Sequence, residues 1–305
     1  MRSICDVDCT ASPVVDVRTP FKPRLLSNRI AAAMPPIVAL LTDFGGQDHY
    51  AGAVRGAVLA ACPEATVVDI AHDLEAHDVL AGAYALCAAY PAFPAGAVFV
   101  AVVDPGVGSA RRGLAVDAGG YRFVGPDNGI LSLVLAEQPG ARVHELTNRG
   151  LFRYEVSATF HARDVFAPVA GHLAQGSPLE LVGPPVSDPV RLELEAVGRP
   201  APGEWLTRVL HVDRFGNLTT HLDRRAMDEI LAEVEGDATR LVALVEGAVV
   251  PFVQTYSDVP EGEACALLGG SGRLEVAVHR GSAARVLGAG KGAPVRLRSV
   301  SATGA

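Results

Sequence analysis

Residues 97–113 read AVFVAVVDPGVGSARRG. The run from Ala97 to Val103 is apolar, β-branched and too short for a helix, which predicts a buried strand. It halts at Asp104-Pro105-Gly106, a turn sequence that leaves a carboxylate at the strand's carboxyl end. In open α/β sheets that edge is where ligands bind. Gly106 and Gly108 keep side chains clear of the edge, and Arg111 and Arg112 supply positive charge a turn later.

The flanking sequence repeats the pattern. Ile37 to Thr42 (IVALLT) is a second buried-strand candidate, and it too ends on a carboxylate and glycines, Asp43-Phe44-Gly45-Gly46. The small residues of Asp48 to Ala61, with apolar spacing of three and four, predict a close-packed helix that Pro63 ends. Ala65 to Ile70 reads as a third strand and Asp78 to Ala89 as an alanine-rich helix. Strand, helix, strand, helix, strand with short connections predicts a parallel sheet covered on both faces. Gly113 to Asp117 and Tyr121 to Val124 form a hairpin pattern across Ala118-Gly119-Gly120. The turn Gly125 to Gly129 offers Asp127 or Asn128 as a cap for a helix from Ile130 to Glu137. Phe160 to Pro168 opens a further helix running to Ala174.

Six prolines between residues 176 and 204 mark a domain boundary. Beyond them, short alternating segments between Trp205 and Arg298 are punctuated by glycine turns and interrupted by one helix, Arg224 to Val234. This predicts a small β-barrel or sandwich. The expected fold class is therefore α/β: an N-terminal α/β domain with a mainly parallel sheet over 36–190, a Pro-rich linker over 191–204, and a C-terminal small β-barrel over 205–301. Residues 1–35 show neither a helical period nor a strand pattern. They read as a disordered leader or as a start placed too early, with Met34 directly before the ordered sequence.

Composition narrows the class. Hydrophobic residues make up 49% and charged residues 20% of the 305-residue chain, as in globular proteins. A formal charge of −8 argues against a general nucleic-acid binder, which needs clustered Lys/Arg. Five irregularly spaced cysteines, Cys5, Cys9, Cys62, Cys87 and Cys265, fit a reduced, cytoplasmic protein. No apolar run approaches the ~20 residues of a membrane span, and no signal-peptide core opens the chain.

Three acidic turns, Asp43, Asp104 and Asp127, should converge on one sheet edge if the strands are parallel. Each alone is explained by the liking of Asp for turns and caps. Together with Arg111 and the His161/Arg163/Asp164 cluster that explanation weakens, because charges gathered at one edge are costly without a ligand or partners to satisfy them. Metal binding is not expected, since His161 and Asp164 match no zinc or facial-triad spacing and Cys5/Cys9 lack a second pair. GVGSARR lacks the Gly-Lys-Ser/Thr ending of a P-loop, and no Ser-containing elbow is present.

TDFG at 42–45, DPGVG at 104–108 with Arg111-Arg112, PDNG at 126–129, TFHARD at 159–164, DRFGN at 213–217 and AVHRGSAA at 277–284 resemble the S-adenosyl-L-methionine hydrolase (adenosine-forming) family. That family is related to the fluorinase and chlorinase enzymes. The resemblance runs in order over residues 36–300. It implies an N-terminal α/β domain, a C-terminal β-barrel, and a homotrimer whose ligand lies between one subunit's N-terminal domain and its neighbour's C-terminal domain. The implied reaction turns S-adenosylmethionine and water into adenosine and L-methionine, with no metal or other cofactor.

By the same resemblance, Asp104, Arg111 and His161 are the catalytic residues, and Asp43 chelates the ribose hydroxyls. Asp213 and Asn217 would bind the methionine amino group and the adenine, with Phe215 packing between them. Asp48 and Ser271 match positions near the amino-acid end, and adenine would meet main-chain groups around Val278 to Ser282. Gly106 and Gly108 would let the backbone pass close to the ribose. A halogenase of the same superfamily is the rival enzyme. Related halogenases carry a Tyr or similar uncharged residue where Asp104 stands, and the fluorinase has a Ser where Ala162 stands. A protein that binds S-adenosylmethionine or adenosine without turnover is the non-enzymatic alternative.

Overall fold

A computed structural model describes residues 35–300 apart from Glu195. The expected leader, with Cys5 and Cys9, lies outside the described residues. In chain order the elements are β1 (Ile37–Thr42), α1 (Tyr50–Ala61), β2 (Thr66–Ala71), α2 (Val79–Ala89), β3 (Val98–Val102), β4 (Gly113–Ala118), β5 (Tyr121–Pro126), α3 (Ser132–Glu137), β6 (Arg142–Glu145) and α4 (Ala167–Ala174). There follow β7 (Gly198–Ala201), β8 (Glu204–Val212), β9 (Leu218–Asp223), α5 (Arg224–Glu233), β10 (Leu241–Val245), β11 (Ala248–Pro251), β12 (Ala264–Leu268), β13 (Arg273–Val278), α6 (Ala283–Leu287) and β14 (Pro294–Ser299).

The first six strands form one mixed sheet in the order β2-β1-β3-β5-β4-β6. β2, β1, β3 and β5 pair in parallel, and only β4 runs against its neighbours. The central strands are apolar on both faces because both faces are covered. Val38 and Leu40 of β1 and Val98, Val100 and Val102 of β3 share a core with α1 and α4. The alternate residues Ala39, Leu41, Phe99 and Ala101 pack with α2 and α3. β6 has no expected counterpart in the sequence reading; RVHE is short and half charged, and its place is set by pairing with β4.

The remaining strands form an antiparallel sheet ordered β11-β10-β14-β8-β9-β13-β12, with β7 added on β8. Just past β11, Phe252 pairs in parallel with Ala266 of β12, and the Val253 amide donates to the Ala266 carbonyl at 2.8 Å, so the sheet nearly closes into a barrel. α5 covers it with Met227 and Ile230 in its core.

The proline-rich stretch is pinned rather than loose where it leaves the first sheet. The Val190 amide donates to Asp127 at 2.8 Å and the Leu192 amide to Ser132 Oγ at 2.8 Å. Leu192 and Leu194 join the core beside α3. Further on, α2 meets the barrel, where the Tyr84 and His211 rings lie 5.0 Å apart and Lys291 pairs with Asp78.

Helices α1 and α4 approach closely because both carry small residues. A Cβ on Gly171 of α4 would lie 2.6 Å from Ala61 Cβ and 3.1 Å from the Val58 carbonyl oxygen. Gly171→Ala should therefore lower stability by about 1–3 kcal/mol through overpacking, read as a lower denaturant midpoint with an unchanged slope.

Candidate active site

β1 connects through α1 to β2 on one side, and the chain then returns through α2 to β3 on the other side of β1. The carboxyl ends of β1 and β3 are thus a topological switch point, where crossovers diverge and leave a crevice. Thr42 is level with Val102 in this pairing, so Asp43 and Asp104 leave adjacent strands at nearly the same height.

Asp104 is gripped by Arg111. The Arg111 Nε donates to Asp104 Oδ1 at 2.9 Å and its Nη2 to Asp104 Oδ2, a bidentate pair with side chains 11% and 5% exposed. The same Nη2 lies 3.0 Å from His161 Nδ1. A guanidinium has no acceptor, so Nδ1 must offer its lone pair and the neutral ring must carry its proton on Nε2. Burial, then the charge of Arg111, hold the His161 pKa below its usual 6.5, with Asp104 and Asp164 opposing the shift. The Arg111 guanidinium also lies over the Phe166 ring, 5.2 Å from its centroid.

His161 reaches this point on a widened turn. Residues Ala162–Phe166 form a π turn closed by Ala167 N–H to the Ala162 carbonyl, directly before Pro168, which has no N–H to give. Asp164 points to a different task. It is fully buried and accepts from Arg163, Arg153 and the Ser157 amide. Burial would raise its pKa, yet Arg163 and the Ser157 N–H hold it below the usual carboxylate range.

Asp43 accepts from the His77 amide at 2.9 Å, and Asp48 is exposed with no side-chain partner among the described residues. Asp127 does not join the site as an open acid or a cap. It accepts from Arg112 and the Val190 amide, Arg112 reaches on to Asp188, and the capping turn belongs to Asn128. Gly108 has φ +80°, and a Cβ there would lie 2.6 Å from the Ala158 carbonyl oxygen. It lets the Asp104 turn pack on the segment leading to His161, a reason independent of any ligand.

The C-terminal candidates form a second group. Asp213, Phe215 and Asn217 line a groove of about 760 Å³ together with Tyr256, Arg280 and Arg285, and every lining residue lies between 213 and 285. Asp213 Oδ1 accepts from the Phe215 and Asn217 amides at 2.9 and 2.8 Å, and Oδ2 from Asn217 Nδ2 at 3.1 Å. It therefore shapes its own loop first, while Asn217 keeps its side-chain Oδ1 as an acceptor. Phe215 is 75% exposed. Ser282 is buried and caps α6 by accepting from the Arg285 amide at 3.3 Å, beneath Gly216. Ser271, in the β12–β13 loop, has a buried hydroxyl without a hydrogen-bond partner.

Comparison with known proteins decides what this arrangement belongs to. The profile of the SAM hydroxide adenosyltransferase N-terminal domain matches residues 38–183, and that of the C-terminal domain matches residues 207–296. The chain belongs to the SAM hydroxide adenosyltransferase family. It is 44% identical to a protein of Thermus thermophilus named (R)-S-adenosyl-L-methionine hydrolase, over 85% of this chain and 98% of that one. A Nocardia brasiliensis fluorinase is 28% identical over 82% and 92% of the two chains. The crystal structure of an uncharacterized conserved protein from Thermotoga maritima matches with a TM-score of 0.80 at 33% identity, covering 86% of this chain and 99% of that one.

Further residues beside the candidate site were given no role by the sequence alone. Phe44, Tyr50 and Phe160 form an edge-packed aromatic group beside Asp43, with Phe160 centroids 6.0 Å from Phe44 and 5.3 Å from Tyr50. Tyr256 donates to Glu275 at 2.7 Å, and burial pushes the Glu275 pKa up. Phe44 and Phe160 lie in the TDFG and TFHARD motifs, but their contacts with Tyr50, and that of Tyr256 with Glu275, form only through the fold. Among the described residues, no group of three or more His, Cys, Asp or Glu side chains is placed to hold a metal ion, and no helix is long and apolar enough to cross a membrane.

The His161 shift has a sign that can be checked. The unfolded chain takes up this proton near 6.5 and the folded chain only at lower pH, so His161 makes stability fall as pH drops below about 6.5. NMR titration should place His161 below 6.5. Arg111→Met should move that titration upward, and His161→Gln should flatten the acid side of the stability profile.

Proposed function

We propose that this protein hydrolyses S-adenosyl-L-methionine to adenosine and L-methionine by in-line attack of water on the ribose C5′. The observation that supports this most directly is a carboxylate, Asp104, held by Arg111 at the switch-point crevice. A halogenase must strip and hold a halide with neutral donors, and a fixed carboxylate there would repel it. Ala162, buried on the π turn, has no hydroxyl to offer a halide.

The sulfonium leaves as neutral methionine sulfur, so the leaving group needs no acid. As the water oxygen bonds to C5′, the C5′–S bond breaks and its electron pair stays on sulfur. The attacking oxygen then carries an extra proton and is strongly acidic, so even a carboxylate paired with Arg111 suffices to take that proton on to solvent. Each Asp104 oxygen uses one lone pair on Arg111 and retains another for the water. His161, with its proton on Nε2, serves as a donor that orients the water or the substrate. Relay through it would need the proton on Nδ1, where Arg111 sits. Holding water in line is worth up to ~7–11 kcal/mol.

Asp43 is assigned to the ribose hydroxyls, and Asp48 to the methionine end. Asn217 is assigned to adenine and Asp213 to the amino group, with Phe215 as packing. Ser271, its buried hydroxyl unpartnered, suits the carboxylate, and Ser282 supports the loop around adenine. The C-terminal groove is lined by residues of 213–285 alone, which supports a site completed by a second copy within a homotrimer. The relatives' names specify the R configuration at sulfur, and we assign that epimer as the preferred substrate. Three buried free thiols, Cys62, Cys87 and Cys265, support a cytoplasmic setting.

Incubation with each resolved epimer, with and without chloride, followed by chromatography, tests the reading. Adenosine should form regardless of halide and faster from the R epimer. Formation of 5′-halo-adenosine only with halide would overturn hydrolysis, and binding without turnover would make the protein a sensor. Asp104→Asn should nearly abolish turnover while adenosine affinity stays within about tenfold, because water orientation is lost and ribose binding is kept. Co-assembled Asp104→Asn and Asn217→Ala chains should recover activity that neither has alone, since mixed trimers then contain some intact sites. No recovery would place each site within one chain.

A further inference from the structure

The loop after β2, residues 72–78, is fastened to the Asp43 turn by its backbone and by one side chain. The Gly45 amide donates to the His72 carbonyl at 2.8 Å, the Gly46 amide to Asp73 Oδ1 at 3.1 Å, and the His77 amide to Asp43 Oδ2 at 2.9 Å. Inside this clamp, His72 Nδ1 lies 2.8 Å from the hydroxyl of Thr42, the last residue of β1. Thr42 is fully buried and the His72 side chain is 9% exposed.

The bonds have a fixed order. Asp69 is an acceptor only, so His72 Nε2, 3.0 Å from Asp69 Oδ1, must carry a proton. Arg55 holds Asp69 from the other side, donating from Nε at 3.0 Å. At the far end the Thr42 hydroxyl oxygen accepts from the Phe44 amide at 3.3 Å. In the neutral ring Thr42 donates to Nδ1; in the protonated ring Nδ1 donates to Thr42. The Thr42 oxygen stays fixed in both cases, and with it the amide that follows Asp43.

We propose that His72 is a positioning residue for Asp43, acting through the Thr42 hydroxyl and braced by Asp69 and Arg55. This rests on the reading above that Asp43 binds the nucleoside ribose. Asp43 leaves β1 between Thr42 and Phe44, and the His72–Thr42–Phe44 bonds fix the backbone on both sides of it. The competing view is that Arg55, Asp69 and His72 merely staple α1 to β2. A staple would lower stability and leave nucleoside affinity alone.

The experiment measures adenosine affinity by calorimetry, turnover of S-adenosylmethionine, and melting temperature, for the full chain and its variants. His72→Ala keeps the backbone bond to Gly45 and removes the side-chain link. It should weaken adenosine binding about tenfold and raise KM in step, with kcat changed less than about threefold, as for loss of one buried hydrogen bond acting on ground-state binding. Thr42→Val, which keeps the shape and removes the hydroxyl, should do the same, so a His72→Ala chain that fails to fold leaves the test standing. The double variant should be no worse than either single one, because one chain of bonds is broken once. His72→Asn, whose amide can replace Nδ1, should recover most of the affinity.

Adenosine affinity within threefold of the unmodified protein in both single variants would overturn the inference, as would a loss of kcat at unchanged affinity or additive losses in the double variant. If the unmodified protein neither binds adenosine nor releases it from S-adenosylmethionine, the reading of Asp43 falls and this inference with it. An unmodified protein that does both, with variants that bind normally, leaves the reading intact and rejects the role of His72 alone.

Discussion

One guanidinium organises the chemistry of this fold. Arg111 gives two hydrogen bonds to Asp104 and a third to His161, and its plane rests over Phe166. The pair is largely removed from water, so its attraction is offset by the cost of desolvation, and leaving either charge alone would cost about 3–5 kcal/mol. Such a pair is weak evidence for stability and good evidence for position. It fixes the carboxylate plane, the imidazole tautomer and the spacing between them with groups that have almost no freedom to rotate. Gly108 and the π turn before Pro168 belong to the same constraint, because they bring the Asp104 turn and His161 within reach of one side chain.

The switch point explains why these groups stand where they do. The crossovers from β1 and to β3 diverge, so the two carboxyl ends meet at a switch point. Asp43 and Asp104 emerge there side by side. The third acidic turn emerges one strand further along, and there the chain fills the edge itself: Asp127 accepts from Arg112 and the Val190 amide, and Arg112 is held in turn by Asp188. The proline-rich segment thus does two jobs. It leads away from the first sheet, and through Asp188 and Val190 it holds the Arg112–Asp127 pair at the end of β5.

Much of this was legible in the sequence. The β-branched runs that end on Asp-Pro-Gly and Asp-Phe-Gly-Gly marked β3 and β1, because central strands of a covered sheet must be apolar on both faces. β6 was not legible, since RVHE has no such signal and is held by its partner β4. Residue type and turn position alone did not separate Asp127 and Asp164 from Asp104; the family resemblance singled out Asp104, and packing shows which arginine each one meets. The tautomer of His161 was out of reach for the same reason, being set by a residue 50 positions away. The DRFGN motif was legible as a motif, but its first task, an Asp213 brace across its own loop, is visible only in three dimensions.

Proteins named hydrolase and fluorinase are both similar to this chain over most of its length, so a difference of nucleophile between them would rest on a few groups. Water and halide make opposite demands. A halide needs positive or neutral donors on every side, because it brings a full charge that must be desolvated. Water brings no charge and needs at least one acceptor, since its attack releases a proton. On the function proposed above, Asp104 would supply the acceptor, and Arg111 pairs its charge in a nearly buried position. Ala162, buried next to His161, carries a methyl and no hydroxyl. On that reading one contact, the Arg111–Asp104 pair, both offers water an acceptor and sets a carboxylate where a halide would have to lie, and selection of the nucleophile needs no separate device.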